Sequence, residues 1–410
     1  METEDINRLI RQLNANGPAA PAEETGDETL ELVRGEEPLP PLAEAGSSWS
    51  PAEAPIVPAL AALLRETARR GGTDLLLVPG APPTIRLHGR LEPARAGEGP
   101  LGPSDALDFL AGALSPERRR RWREEGSVDL SLKTTEGRFR ANLHRTRRGT
   151  AAALRLLPRK IPSLSELGLP ETLYELTRTA RGLVLVTGAT GSGKTTTLAA
   201  LVDRISSTER RHVITIEDPV EYEHAHGLSL VEQVEVGVDV PSFDAALVSA
   251  LRQDPDVILV GEMRDLETTR TALTAAETGH LVLATLHTND VPQTVHRILD
   301  LFPPDQQTQV RQQLSLALSA IVCQQLVPRA DGTGRALACE ILVATDAVRA
   351  HVRRGSLHQL HSEMTLGRRF GMVTMEDSLA SLVASGVLRE EDARLRASHP
   401  DELAALRKKP

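Results

Sequence analysis

From about Ala59 the alternation of apolar and polar positions is that of a folded chain. Ala59 to Arg69 reads as a helix, while Thr73 to Val78 and Thr84 to Leu91 read as strands parted by the turn Gly80-Ala81-Pro82-Pro83. Ser104 to Leu114 has a helical pattern. Ser115-Pro116, a capping residue followed by proline at a first helical position, opens another helix. Strand patterns at Val128–Leu132, Arg138–His144 and Thr150–Leu156 complete an α+β unit over residues 59–157, and residues 158–170 read as a connection.

After Pro170 strands alternate with helices, the mark of a parallel α/β sheet. Leu183–Thr187, Val213–Glu217, Val257–Gly261 and Leu281–Thr285 are short apolar runs that predict buried strands. A helix begins after Asp265 and stops at Gly279, a residue suited to the C′ position. The pattern predicts an α/β core over residues 171–350 and a helical region over 351–410. There Thr374-Met375-Glu376-Asp377 resembles a capping box ahead of Leu379, Leu382 and Val383.

Residues 1–58 differ in texture. Eight prolines and acidic runs between residues 15 and 58 predict a disordered tail with too little apolar surface to offset chain entropy. Before it, Ile6, Leu9, Ile10 and Leu13 fall at helical spacing behind Thr3. That short helix reads equally as a docking element or as a frayed terminus.

Composition narrows the function classes. The chain has 410 residues, 40% hydrophobic and 25% charged, enough for two or three domains with sizeable cores. Two cysteines, Cys323 and Cys339, support neither a disulfide framework nor a four-cysteine zinc site, so a reducing compartment is expected. No apolar run reaches the roughly 18–20 residues of a membrane span, and the acidic start lacks the features of a signal peptide. The net charge of −9 sits mostly in the first 50 residues, which hold eleven acids and three arginines. The remainder is almost neutral and aromatics make up 2%, so nucleic acid is not an expected partner. The run Arg118-Arg119-Arg120-Arg121, flanked by Glu117, Glu124 and Glu125, reads as a salt-bridged helix face.

The strongest chemical signal is Gly188-Ala189-Thr190-Gly191-Ser192-Gly193-Lys194-Thr195, followed by Thr196. It is a complete phosphate-binding P-loop placed after an apolar strand and before a helix. The glycines let backbone N–H groups turn inward around phosphate oxygens. Lys194 sets a positive charge against the β- and γ-phosphates, and the Thr195 hydroxyl can join a Mg²⁺ shell. Hydrolysis of ATP needs further groups to orient water and complete the metal shell. Glu217-Asp218-Pro219-Val220-Glu221, Gly261-Glu262-Met263-Arg264-Asp265, and His280 with His287 lie near strand ends, where they are expected to converge on the P-loop.

These motifs resemble the secretion ATPase superfamily of type II secretion and type IV pilus motors over residues 59–395. Ile214-Thr215-Ile216-Glu217-Asp218-Pro219-Val220-Glu221-Tyr222 is similar to the family's aspartate box. Leu251–Asp265 is similar to its atypical Walker B region, and Gly279–Thr288 to its histidine box. The resemblance implies a RecA-like P-loop domain behind a PAS-like α+β domain, assembled as a homohexameric ring. It implies Glu221 as the carboxylate that polarises water and Glu262 as the holder of Mg²⁺ or its water. His280 and His287 would sense the γ-phosphate, and Arg140 and Arg155 would reach the nucleotide as the first domain closes.

The absence of a four-cysteine insertion and the ending Leu366–Leu379 look like the PilT-type retraction branch. Thr288-Asn289-Asp290 is closer to the secretion branch. The expected partner is an inner-membrane platform protein, with cytoplasmic placement and membrane association through that partner. The alternatives are a type II secretion or pilus-assembly ATPase and a non-hydrolysing nucleotide-dependent regulator.

Overall fold

A computed structural model describes residues 56–87, 90–158 and 160–406. The helix expected around Ile6–Leu13 and nearly all of the proline-rich tail lie outside the described residues.

The first sheet contains β1 (Asp74–Leu77), β2 (Thr84–Leu87), β3 (Arg90–Pro93), β4 (Ser127–Thr134), β5 (Gly137–Thr146) and β6 (Gly149–Leu156). Its order is β3-β2-β1-β6-β5-β4, and the neighbours are antiparallel. Successive side chains on a strand point to opposite faces. In β5, Phe139, Ala141 and Leu143 are therefore buried, while Arg138, Arg140 and Asn142 face away from that core. Helix Pro58–Arg69 closes the core with Leu60, Leu63 and Leu64. The single strand expected over Thr84–Leu91 is instead two, because the chain reverses and Leu87 pairs with Arg90.

Helix Pro116–Glu125 starts as its sequence predicts, with Ser115 Oγ accepting from the Arg118 N–H at 3.2 Å. Its arginines serve the protein's own structure. Arg121 pairs with Glu125 at 2.9 Å, and Arg119 donates to the carbonyls of Leu114 and Ala111.

The second sheet has β7 (Gly182–Thr187), β8 (His212–Glu217), β9 (Leu230–Glu235), β10 (Val257–Val260), β11 (Leu281–Leu286), β12 (Leu318–Pro328) and β13 (Arg335–Val343). The order is β13-β12-β7-β11-β10-β8-β9, parallel throughout except for the antiparallel edge strand β13. The four apolar runs of the sequence form the centre of this sheet. They lack alternation because both faces are covered. Leu183, Leu185, Ile214 and Val260 pack to one side, while Val184, Val186, Val213 and Leu259 pack to the other.

Five α-helices and two short 3-10 helices over Asp346–Leu406 follow β13. Thr374 Oγ1 accepts from the Asp377 N–H at 3.1 Å, which is half of the expected capping box. The other half is absent, because the Asp377 carboxylate pairs with Arg368 at 2.7 Å.

Candidate nucleotide site

The P-loop leaves the carboxyl end of β7 and runs into helix Lys194–Thr208. Gly188 has φ 143°, and a Cβ there would lie 2.4 Å from the Gln324 carbonyl oxygen. Gly191 and Gly193 hold φ of 76° and 96°, a left-handed region in which side chains are strained. Only glycine meets both the conformational demand and the close approach at Gly188. The loop thereby runs into the positive end of the helix dipole at Lys194.

Lys194 is buried within this turn. Its Nζ donates to the carbonyls of Gly188 at 2.8 Å and Ala189 at 3.1 Å. Burial lowers its pKa, and the nearby Glu262 carboxylate opposes that shift. Ser192 Oγ is buried with no hydrogen-bond partner, as is Gln324 Oε1. A cavity of about 430 Å³ adjoins the loop, lined by Ala189, Thr190, Gly191, Ser192, Gln324 and Arg335 among others. A helix amino terminus, a buried cation and an orphaned serine hydroxyl fit a polyphosphate. Thr195 and Glu262 are the oxygen donors suited to Mg²⁺, a hard cation.

Glu262 follows β10, and His287 follows the adjacent strand β11. Their side chains meet, with His287 Nε2 3.1 Å from Glu262 Oε1, while Arg264 Nε lies 2.7 Å from the same oxygen. Burial pushes the Glu262 carboxyl upward, but Arg264 and His287 outweigh it and hold the group below its ordinary value. Glu262 is thus an ionised carboxylate close to Lys194.

Glu221 sits in a loop hung from two buried carboxylates. Its own N–H is held by Glu217, which also accepts from Thr215 Oγ1 at 2.7 Å and Gln233 Nε2 at 3.2 Å. Burial raises the Glu217 pKa against these hydrogen bonds. The N–H of Val220 donates to Glu235 at 3.2 Å. The next residue, Tyr222, brings its hydroxyl within 3.0 Å of Thr196 Oγ1. The aspartate-box loop is therefore fastened to the first turn of the P-loop helix, and the Thr196 hydroxyl is engaged there.

Glu235 is also the link to the first sheet, since Arg138 Nη2 donates to it at 2.6 Å. Arg138, Glu235 and Val220 thus form a chain of contacts from β5 to the loop carrying Glu221. Replacing Arg138 with methionine is expected to destabilise the protein by about 1–3 kcal/mol, because it strips a donor from a buried carboxylate. Denaturant unfolding of the purified variant measures this. A midpoint equal to the parent's would show that the strut carries no stability.

Two of the expected site groups are placed elsewhere. His280 precedes β11 and lies at its amino edge, where its Nδ1 is 3.1 Å from the Ala275 carbonyl. Leu281 pairs with Gly182 and Leu286 with Thr187 in the parallel register. Seven residues at about 3.3 Å each separate His280 from His287, so within one chain it does not converge on the P-loop. Bracketing a strand puts two residues at opposite edges of the sheet.

Arg140 and Arg155 are direct cross-strand partners on β5 and β6. In this conformation they face carboxylates of their own sheet, Arg155 at 2.9 Å from Asp74 and Arg140 at 4.0 Å from Asp129.

Gln324 and Arg335 belong to none of the sequence motifs, yet both line the cavity beside the P-loop. Cys323 on β12 pairs with Thr187 on β7, which puts Gln324 beside Gly188. The available signal was the polar pair Gln324-Gln325 interrupting the apolar run from Leu318 to Val327.

A glycine loop between a central parallel strand and a helix, with a buried lysine and an ionised carboxylate on a neighbouring strand end, defines a P-loop nucleotide-binding protein. The model of the type II/IV secretion system protein family matches residues 113–406, and the chain belongs to that family. It is 42% identical over 340 residues to the type IV pilus retraction ATPase PilT of Pseudomonas aeruginosa, covering 83% of this chain and 98% of that one. The twitching motility protein of Neisseria gonorrhoeae is 43% identical over 323 residues, covering 78% and 86%. Among solved structures, the pilus retraction motor PilT with bound ADP superposes with a TM-score of 0.78 at 45% identity, covering 84% of this chain and 99% of that one.

Proposed function

We propose that this protein is a PilT-type motor ATPase that couples ATP hydrolysis to type IV pilus retraction. The observation that carries the reading is the convergence of the P-loop, Lys194, Glu262 and His287 at one edge of the second sheet, in a chain 42% identical to a pilus retraction ATPase. Lys194 holds the β- and γ-phosphates and draws charge from them. Glu221 accepts a hydrogen bond from the attacking water and orients it towards the γ-phosphorus. Thr195 and Glu262 would hold Mg²⁺, which when bound neutralises charge on the phosphate oxygens. His287 steadies the Glu262 carboxylate.

Charge on the far side of the transferred group needs a donor from outside the P-loop. Arg140 and Arg155 fill that role when the first domain closes. Both guanidinium groups are solvent-exposed, which keeps their present pairings weak, at about 0–1 kcal/mol for an exposed pair such as Arg140–Asp129, so phosphate charge can compete for them. Closure and opening of this joint, biased by different contacts to ATP and ADP, is the mechanical step. The working form is a homohexamer acting through an inner-membrane platform protein at the cytoplasmic face. Among the described residues, no helix is long and apolar enough to cross a membrane.

Activity per chain is expected to rise with protein concentration as rings assemble. Mixing an Arg155→Ala chain with a Glu221→Gln chain is expected to restore part of the turnover if the arginine acts across the subunit boundary. Full turnover from a monomer at high dilution would refute the ring. Retraction itself is tested by expression in a piliated bacterium lacking its own retraction ATPase. The parent chain should restore twitching, and failure with a stable, hydrolytically active protein would move the assignment to another branch.

A further inference from the structure

A cluster among the carboxy-terminal helices contains none of the nucleotide-site residues. His361 is the second residue of helix Leu360–Leu366, and Glu376 the second of helix Met375–Ala384. His399 directly precedes helix Pro400–Leu406, and Glu402 lies three residues further on, a spacing that puts both on one side of the chain. The four side chains offer ligand atoms that all lie within 4.8 Å of one another. His361 Nε2 is 2.8 Å from Glu402 Oε2, and His399 Nδ1 is 3.7 Å from Glu376 Oε1. The two imidazoles stack with centroids 4.2 Å apart.

The decisive member is Glu376. It is fully buried, and while its Oε1 accepts from the His399 N–H at 2.8 Å, its Oε2 has no hydrogen-bond partner. A buried carboxylate oxygen left unpaired is costly. A second buried acid, Glu340 on β13, lies near Glu376 and His361, and burial pushes its carboxyl up to about 7. A cation seated between the four groups would satisfy the orphaned oxygen.

We propose that His361, Glu376, His399 and Glu402 form a structural Zn²⁺ site that clasps the last helix onto the body of the protein. Two imidazole nitrogens and two carboxylate oxygens, all from protein, supply the four donors of a closed tetrahedral zinc shell with no position left for water, at bonds of about 2.0–2.2 Å. Mg²⁺ and Ca²⁺ prefer all-oxygen shells, which the histidines disfavour. A tetrahedron of that size separates its ligand atoms by roughly 3.4 Å, so atoms now within 4.8 Å of one another would draw in by about 1.4 Å at most. The ion has a way in, because a cavity of about 530 Å³ is lined by His361, Thr365, Arg368 and Glu402. The clasp would tie down the segment in which Leu403 packs with Leu388 and Ala393. Leu395 and Arg396, four and three residues before His399, line the cavity beside the P-loop, so the clasp also fixes one wall of that hollow.

The test uses the full chain with any purification tag removed, stripped by chelator and then titrated with Zn²⁺ by calorimetry. One Zn²⁺ per chain, with a Kd below about 1 µM, is expected. Co²⁺ in its place should give the intense visible bands of a tetrahedral site, which an oxygen-lined octahedral site beside a nucleotide would not. His361→Gln and Glu402→Gln should each weaken Zn²⁺ binding by about 100-fold or more. Glu402→Gln retains an acceptor for His361, so folding is preserved in at least one variant. Zn²⁺ should raise the melting temperature of the parent and leave that of the variants unmoved. A parent chain that takes up no Zn²⁺, weak octahedral Co²⁺ bands, or variants that bind like the parent would each overturn the site and leave two hydrogen-bonded histidine–glutamate pairs.

Discussion

Lys194→Ala should cost the protein its nucleotide. The ammonium of Lys194 is buried among the Gly188 and Ala189 carbonyls at 2.8 and 3.1 Å, with the Glu262 charge close by. Phosphate oxygens entering the loop replace those carbonyls as acceptors, in surroundings that screen charge poorly. Charge-assisted hydrogen bonds of this type are worth about 1.5–3 kcal/mol each. Losing two of them is expected to weaken ATP binding by roughly 10²–10⁴-fold. A fluorescent-nucleotide titration measures the loss directly, with circular dichroism to confirm folding. A variant that binds and hydrolyses ATP like the parent would show that the phosphates lie elsewhere.

Glu221→Gln should separate binding from chemistry. The backbone on either side of this carboxylate is held independently, through the Glu221 N–H on Glu217, the Val220 N–H on Glu235 and Tyr222 on Thr196. Glutamine therefore keeps the shape of the loop while removing the charge that polarises water. Turnover at saturating ATP is expected to fall by about 10²–10⁴-fold, the range associated with losing a general base, with nucleotide affinity nearly unchanged. Rapid-quench measurement of phosphate formation distinguishes this from slow product release. Unchanged turnover would take Glu221 out of the mechanism and turn attention to Glu262, the ionised carboxylate close to Lys194.

The local elements were legible in the sequence wherever one residue type has one physical use. Gly188, Gly191 and Gly193 predict a loop that turns its amides inward, because the left-handed conformations and close approach found there suit only glycine. The four apolar runs predict strands covered on both faces, and β7, β8, β10 and β11 are those strands. Asp265 caps its helix and Gly279 ends it, as the residue types imply.

Tertiary structure alone decided what depends on direction and on distant partners. His280 and His287 bracket one strand and look equivalent in the sequence, yet the parallel register separates them to opposite edges of the sheet. Glu217, Glu221 and Glu235 are three acidic residues in sequence. Burial and donors turn the first and last into anchors for the middle one. Gln324 reaches the P-loop only because β12 is placed beside β7, more than 130 residues from Thr187 in the chain. His361, Glu376, His399 and Glu402 carry no recognisable motif, because their proximity comes from the packing of three separate helices. Sequence spacing determines what a segment does with its own backbone; which side chains share a site is set by strand order and helix packing, which no local pattern encodes.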